Sequence, residues 1–245
     1  MDISTFFSGL NDTHNINLSF LYDEYDRHLF FQGILYTAWL SVASIVGSLL
    51  VGAVGAYLQY GGRPWATRLV NGYVHAFRNT PPLVQLYFFY FALGPAMSGL
   101  LPGAQQAVSN VTWAIVSLTL YAGAFNVEIF RSGIEAVPRA TIEAADALGM
   151  NDRQIFRKIV LPLSVRISLT GLTNNLVNLI KTTTNAFAIA VPEVLYASSQ
   201  IWSENLNALE MMIILLLFFM LVIGAFTALM KALERTISVP GWGNS

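Results

Sequence analysis

The chain has 245 residues, of which 55% are hydrophobic and 11% charged, and its formal net charge is -1. Soluble domains carry about 25% charged residues, so this composition excludes an ordinary soluble protein and indicates a chain whose surface faces lipid. The near-neutral charge gives no basic field for nucleic acid, and the absence of cysteine excludes disulfides and thiolate metal sites.

The first 28 residues are rich in acids, and Arg27 is their only basic residue apart from two histidines. A secretory signal begins with a positive region, so residues 1–28 are predicted to be an extracytoplasmic segment that stays in the mature protein. The three histidines of the chain show no ligand spacing, and no metal site is predicted.

A membrane-spanning helix needs about 20 apolar residues. Five segments meet this requirement, at about 29–60, 65–93, 111–130, 163–185 and 209–230. The first is longer than one crossing, and the second is interrupted by Arg78-Asn79-Thr80-Pro81-Pro82. The predicted fold class is therefore all-α, a polytopic membrane protein of five transmembrane helices within residues 29–236, with a tail at 237–245.

Basic residues predict the orientation, because they accumulate on the cytoplasmic side of a membrane. Arg63 and Arg68 lie between the first two spans, five basic residues lie between the third and fourth, and Lys231 and Arg235 follow the fifth. The regions that alternate with these are acidic and hold one basic residue, Arg27. We therefore expect the N-terminus outside and the C-terminal tail in the cytoplasm.

The loop at 137–162 is predicted to hold a short helix that ends abruptly. Pro138 suits the first turn of a helix, and Gly149 suits a left-handed residue after its end. Asn151 and Gln154 have the spacing of a capping box at the start of a second helix. Small residues give the first helix a side that a partner can approach closely; they are Ala144, Ala145 and Ala147.

This loop resembles the EAA loop of permease subunits in binding-protein-dependent ABC importers. The family pattern is Glu-Ala-Ala, Gly four residues later, then Ile-x-Leu-Pro. It is matched without a gap by Glu143, Ala144, Ala145, Gly149, Ile159, Leu161 and Pro162. Two further stretches resemble permeases for polar amino acids, of the histidine, glutamine and arginine type; they are 77–86 and 126–138.

The resemblance implies the type I ABC importer permease fold, with Glu143, Ala144, Ala145 and Gly149 in a cytoplasmic coupling helix. It also implies two ABC ATPase subunits, a second permease subunit (a copy or a paralogue) and a periplasmic solute-binding protein. No Walker phosphate loop occurs in this chain, so ATP and Mg²⁺ would be bound by the partner ATPase. The chain itself is expected to be a transport subunit of the bacterial inner membrane and not an enzyme.

Polar residues inside predicted spans are costly and need an explanation. Asn174, Asn178, Lys181 and Asn185 have the spacing of one helical face in the fourth span. We expect this polar stripe to line the substrate pathway. Hydrogen bonds between helices are the alternative, and snorkelling alone could explain Lys181.

A second candidate lies at the break in the second span. Thr80 could cap a half-helix that begins at Pro81, and the free N–H groups there, with Arg78 beside them, could meet a substrate carboxylate. A structural kink against a partner is the alternative. Glu128 is placed in the pathway as a weaker candidate, because its spacing to Arg131 also permits a local ion pair.

These patterns together predict the membrane-spanning permease of an ATP-driven importer for a polar L-amino acid or a close derivative. Two alternatives stay open: a permease for another small solute, and a small channel or scaffold that does not depend on ATP.

Overall fold

The computed structural model describes residues 16–100 and 108–236, together with residues 7, 9, 11 and 13. This part of the chain is helical and contains no strand, which confirms the all-α prediction. The predicted tail at 237–245 lies outside the described residues. In chain order the α-helices are α1 (Ser19–Tyr22), α2 (Glu24–Tyr60), α3 (Pro64–Arg78), α4 (Pro82–Tyr87), α5 (Gly94–Leu100), α6 (Asn110–Glu135), α7 (Arg139–Ala147), α8 (Asp152–Ile155), α9 (Leu161–Thr182), α10 (Val194–Asn205) and α11 (Ala208–Thr236).

Three of these helices, α2, α6 and α11, are long and apolar enough to cross a membrane. Helix α2 has 37 residues and is therefore about 55 Å long, more than the roughly 30 Å of a hydrocarbon core. The first span was predicted to exceed one crossing, and its length confirms this. It begins at Glu24, earlier than the predicted Leu29, so the end of the 1–28 segment is part of the helix.

The second predicted span is not one apolar helix. Helix α3 is amphipathic: Ala66, Val70 and Val74 are buried, while its exposed residues include Arg68 and His75. The chain leaves α3 at Asn79 and becomes helical again at Pro82, which confirms the predicted break. A π-helical turn at Phe88–Leu93 then joins α4 to α5. Only Pro82–Met97 is a continuous apolar stretch, and the count of five spans stays a prediction.

The fourth predicted span ends earlier than expected. Helix α9 ends at Thr182, and Thr183–Ile189 forms a 3₁₀ helix. Asn185 therefore does not continue the α-helical face on which it was predicted. The reason is local, because the chain turns at Ala190, which adopts a left-handed conformation with φ 55°. A tighter helix of three residues per turn leads into that turn.

The chain folds as two compact units. The first is formed by the described residues within 1–44, 82–118 and 180–224. Its apolar residues form two clusters, one around Leu40 and Val191 and one around Phe30 and Met211. Close van der Waals packing of such side chains helps to hold these helices together within the unit, because lipid gives no hydrophobic driving force between membrane helices.

The second unit is formed by the described residues within 45–81, 119–179 and 225–245. One of its clusters joins α3 to α6 through Val70, Val74 and Val127. Another lies inside the 137–162 loop, and its buried members are Val137, Ala145, Ile155 and Val160. The loop therefore has a core of its own and is a folded element rather than a flexible connection.

Candidate functional site

Four alternating charges lie together in the second unit. Glu128 Oε2 is 3.0 Å from Nη2 of Arg131 and 3.5 Å from Nη1 of Arg78. Arg131 also donates through Nη1 to Oε1 of Glu135, 2.8 Å away. The predicted local pair of Glu128 and Arg131 is confirmed. Arg78 and Glu135 extend it into a chain that we call the charge ladder.

The charge ladder lines an open cavity of about 460 Å³. The Arg78 guanidinium lies over the Phe125 ring, 5.3 Å from its centre, a cation–π geometry that orients this side chain. Gln59 donates to the side chain of Asn71 at 2.8 Å. The oxygen of the same Gln59 amide is buried and has no hydrogen-bond partner among the described residues. The cavity therefore presents two cations and two carboxylates.

Thr80 lies just beyond α3, in the predicted break. Its hydroxyl donates back to the carbonyl of Ala76 at 2.8 Å, so it completes the last turn of α3. The predicted cap of a half-helix beginning at Pro81 has to be revised, because α4 begins at Pro82. The hypothesis of a carboxylate site at the break then depends mainly on Arg78.

The predicted polar stripe is placed in part as expected. Asn174, Asn178 and Lys181 are all exposed on one face of α9, and Asn185 is half-buried in the following 3₁₀ helix. Thr170 lies one turn before Asn174 and extends this face; its hydroxyl donates to Glu234 Oε1 at 3.2 Å. Exposed amides in a membrane helix are costly against lipid, so this face is better suited to protein or water than to lipid.

A second polar group in α9 was missed from the sequence. Asn175 is buried, and its amide nitrogen donates to the carbonyl of Ala122 at 3.0 Å and to Oδ1 of Asn126 at 2.8 Å. Asn126 is fully buried and donates to Ser48 at 3.1 Å. Hydrogen bonding between helices was the alternative role for the polar stripe. Asn175, which follows Asn174 of the stripe, makes such bonds instead. The Asn174-Asn175 pair was the available signal, since adjacent residues lie on different faces of a helix.

The 137–162 loop confirms the local geometry predicted for it. Helix α7 ends at Ala147, and Gly149 has a left-handed φ of 79°. Its N–H donates to the carbonyl of Asp146 at 2.8 Å. Asn151 and Gln154 form the expected capping box, each side chain accepting from the other's backbone N–H at 3.0 Å. Pro138 precedes the first residue of α7 rather than lying within its first turn.

Helix α7 was predicted to present Ala144, Ala145 and Ala147 on one small-residue face. The structure divides them, because Ala144 and Ala147 are exposed and Ala145 is buried. Ala145 is 2% exposed and packs into the loop's own core, so it cannot contact a partner and supports the helix from below. Glu143 and Ala144 are exposed. Leu148, just after the helix, is 82% exposed. This apolar side chain was missed, although a leucine at the end of a polar helix was visible in the sequence.

Glu193, in the first unit, is a fully buried carboxyl group at the start of α10. It accepts hydrogen bonds from the backbone N–H groups of Leu195 and Tyr196, both at 2.9 Å. Burial raises its pKa from the ordinary 4.5 to about 7, and the two hydrogen bonds only partly oppose this.

Across residues 16–100 and 108–236, no group of His, Asp or Glu side chains could hold a metal ion.

Comparisons with known proteins agree with this geometry. A family model described as "Binding-protein-dependent transport system inner membrane component" matches residues 48–239. The octopine transport system permease protein OccM of Rhizobium meliloti is 35% identical over 184 residues, which cover 73% of each chain. The glutamine transport system permease protein GlnP of Escherichia coli K12 is 28% identical over 86% of this chain and 94% of its own.

Solved structures are similar in fold. One is an amino acid ABC transporter with histidines, with a TM-score of 0.76 and 24% identity over 86% of this chain and 94% of that one. Another is the MetNI methionine ABC transporter in an inward-facing conformation, with a TM-score of 0.71, 21% identity and coverage of 89% and 100%. The fold is thus that of type I ABC importer permeases. The chain belongs to the inner membrane components of binding-protein-dependent transport systems, a family of transport subunits and not of enzymes.

Proposed function

We propose that this chain is the permease subunit of an ATP-driven importer that carries a polar L-amino acid or a close derivative. The observation that carries the proposal is helix α7, which a core of its own holds in place. Glu143, Ala144 and Leu148 lie exposed on and just beyond it. This exposed end of the loop is held by its own core and leaves room for the close approach of a partner surface. The relatives named for glutamine and octopine transport support the solute class.

The partners follow from the family and from the chain's own surfaces. Two ATPase subunits, which bind ATP and Mg²⁺, would dock on α7 of two permease chains. A solute-binding protein would deliver the solute from outside. The exposed stripe on α9 supports a second permease subunit, a copy or a paralogue, because exposed amides are costly against lipid and are better placed against another protein surface or water.

The N-terminus is proposed to lie outside and the C-terminal tail in the cytoplasm. Two of the regions proposed to lie outside, the N-terminal segment and the loop at 192–208, touch each other, since Asn207 donates to the carbonyl of Asn17 at 3.0 Å. This contact supports their location on the same side of the membrane.

Arg78 is proposed to meet the carboxylate of the solute. It is 42% exposed and lines a cavity large enough for an amino acid, and a guanidinium binds a carboxylate with two parallel hydrogen bonds. Asn174, Asn178 and Lys181 would line the path along α9, with Asn185 beyond its end.

A pull-down tests the importer assignment. Tagged protein is purified from native membranes in mild detergent, and the co-eluting chains are identified. An ATPase subunit should elute with the wild type and be lost from Gly149→Val, because a β-branched residue is strained at φ 79°.

Gly72→Val is the matched control. An added Cβ meets no atom within 4 Å at either glycine, and only Gly149 has a left-handed φ. The ATPase should therefore stay with the Gly72 variant. If no ATPase elutes with the wild type, the chain acts without one and the channel or scaffold hypothesis replaces this proposal. Uptake competition among solutes then separates an amino acid permease from one for another solute.

A further inference from the structure

Glu128 is shared unequally between two arginines. Its contact with Arg131 on the same helix is 3.0 Å, and its contact with Arg78 at the end of α3 is 3.5 Å. Arg131 has a second partner in Glu135, whereas the ion pair of Arg78 with Glu128 is its single one among the described residues. The Arg78–Glu128 contact is thus the longest step of the charge ladder, which as a whole lines the open cavity.

A free carboxylate that enters this cavity would compete with Glu128 for Arg78. The exchange leaves no charge without a partner: Arg78 would hold the entering carboxylate, while Glu128 and Arg131 remain paired. The side chains of Arg78 and Glu128 are 42% and 26% exposed. Partly exposed ion pairs contribute at most about 1 kcal/mol, so giving up this pair is not prohibitive.

We propose that Glu128 is a positioning residue that occupies Arg78 in the absence of solute and is displaced from it by the carboxylate of the solute. This proposal rests on the proposed function. It adds that a carboxylate of the protein itself competes with the solute for Arg78. Glu128 thereby sets how much solute is needed to occupy Arg78.

The ladder also extends toward α7. Glu128, Arg131 and Glu135 lie on successive turns of α6, with contacts of 3.0 and 2.8 Å between them. Glu135 is the last residue of α6, and α7 begins at Arg139. When Arg78 leaves Glu128, the ion-pair partners of Glu128 change. Glu128 lies about 10 Å along α6 from Glu135, the last member of the ladder on this helix. The ladder thus ends four residues before the first residue of the helix that would carry the ATPase.

The test is direct binding to the purified permease–ATPase complex in lipid nanodiscs, without the solute-binding protein. The probes are radiolabelled L-glutamine, L-arginine and L-histidine, each with its decarboxylated amine as a competitor. Glu128→Gln keeps the side-chain shape and removes the competing charge, so the Kd of the amino acid should fall about two- to fivefold. Arg78→Gln removes the guanidinium that would bind the solute carboxylate, so the Kd should rise about tenfold. The preference for the amino acid over its decarboxylated amine should be lost.

The opposite signs separate exchange from a structural role, which would weaken binding in both variants. Glu204→Gln and Arg68→Gln are matched controls at exposed positions outside the ladder and should leave Kd unchanged. If Glu128→Gln does not assemble, Glu128→Asp, which shortens the side chain, should change Kd in the same direction.

A rise in Kd for Glu128→Gln overturns the exchange and leaves the importer assignment intact. If the wild-type complex binds none of the three amino acids, the carboxylate contact and the exchange both fall. In that case ATP-driven uptake of another solute would still support the importer assignment.

Discussion

At the scale of single residues, Glu193 combines two opposing effects on one carboxyl group. Full burial disfavours its charged form, and hydrogen bonds from two backbone N–H groups favour it. Burial dominates and places the pKa at about 7. The group lies between the fourth and fifth predicted spans, outside the membrane-spanning segments. A pKa of about 7 means that its charge changes near neutral pH.

This pKa predicts that acid stabilises the protein. Because the pKa in the folded state exceeds the ordinary 4.5, protonation favours folding, and the benefit is fully present below pH 4.5 and lost as the pH rises through about 7. It amounts to at most about 3 kcal/mol. Thermal unfolding in detergent should therefore show a Tm that falls between pH 5.5 and 8.

Glu193→Gln, which cannot ionise, should remove most of this slope, while the exposed Glu204→Gln should keep it. A slope that is equal in the wild type and Glu193→Gln would show that another group carries the pH dependence.

At the scale of helices, α6 and α9 approach each other closely at Gly133. A Cβ at this position would lie 2.7 Å from the backbone carbonyl oxygen of Ser164 and would also collide with the hydroxyl of Ser168. A backbone atom cannot move aside as a flexible side chain can. Gly133→Ala should therefore destabilise the protein by about 1–3 kcal/mol, measured as a lower Tm by fluorescence-detected size exclusion after heating.

Gly224→Ala in α11 is the control, since an added Cβ there meets nothing within 4 Å. It should not lower the Tm, because alanine favours helix over glycine. An equal loss in both variants would contradict the close approach of α6 and α9 at Gly133.

Helices also show how far the sequence could predict this protein. The 137–162 loop was predicted well, because a left-handed Gly149 and the capping box of Asn151 depend on residues only a few positions apart. The inward position of Ala145 and the contact of Arg78 with Glu128 were not predicted, because they depend on how separate helices pack. Asn175 was missed for the same reason, since periodicity identifies the faces of a helix but not which of them meets a neighbour.

At the scale of the whole molecule, the exposed surface contains two kinds of membrane-facing helix. Helix α11 exposes a nearly continuous apolar surface that includes Leu216, Leu217 and Leu221, as lipid contact requires. Helix α9 instead exposes Asn174, Asn178 and Lys181, and it is not among the helices apolar enough to cross a membrane alone. We therefore expect α11 to face lipid, and α9 to face protein or water, in the assembled transporter.

Single cysteines can measure these surroundings, because the natural chain has none. In the assembled complex, Asn174→Cys and Asn178→Cys should react with a membrane-impermeant maleimide if α9 faces a water-filled path, and bound solute should slow that reaction. Leu221→Cys on α11 should stay unreactive, because a thiol in lipid forms little thiolate and the reagent cannot reach it. Reaction at Leu221 but not at the two asparagine positions would place α9 outside the path. Equal protection of all three would mean that the amides of α9 meet a dry protein interface, and the stripe would then serve assembly rather than transport.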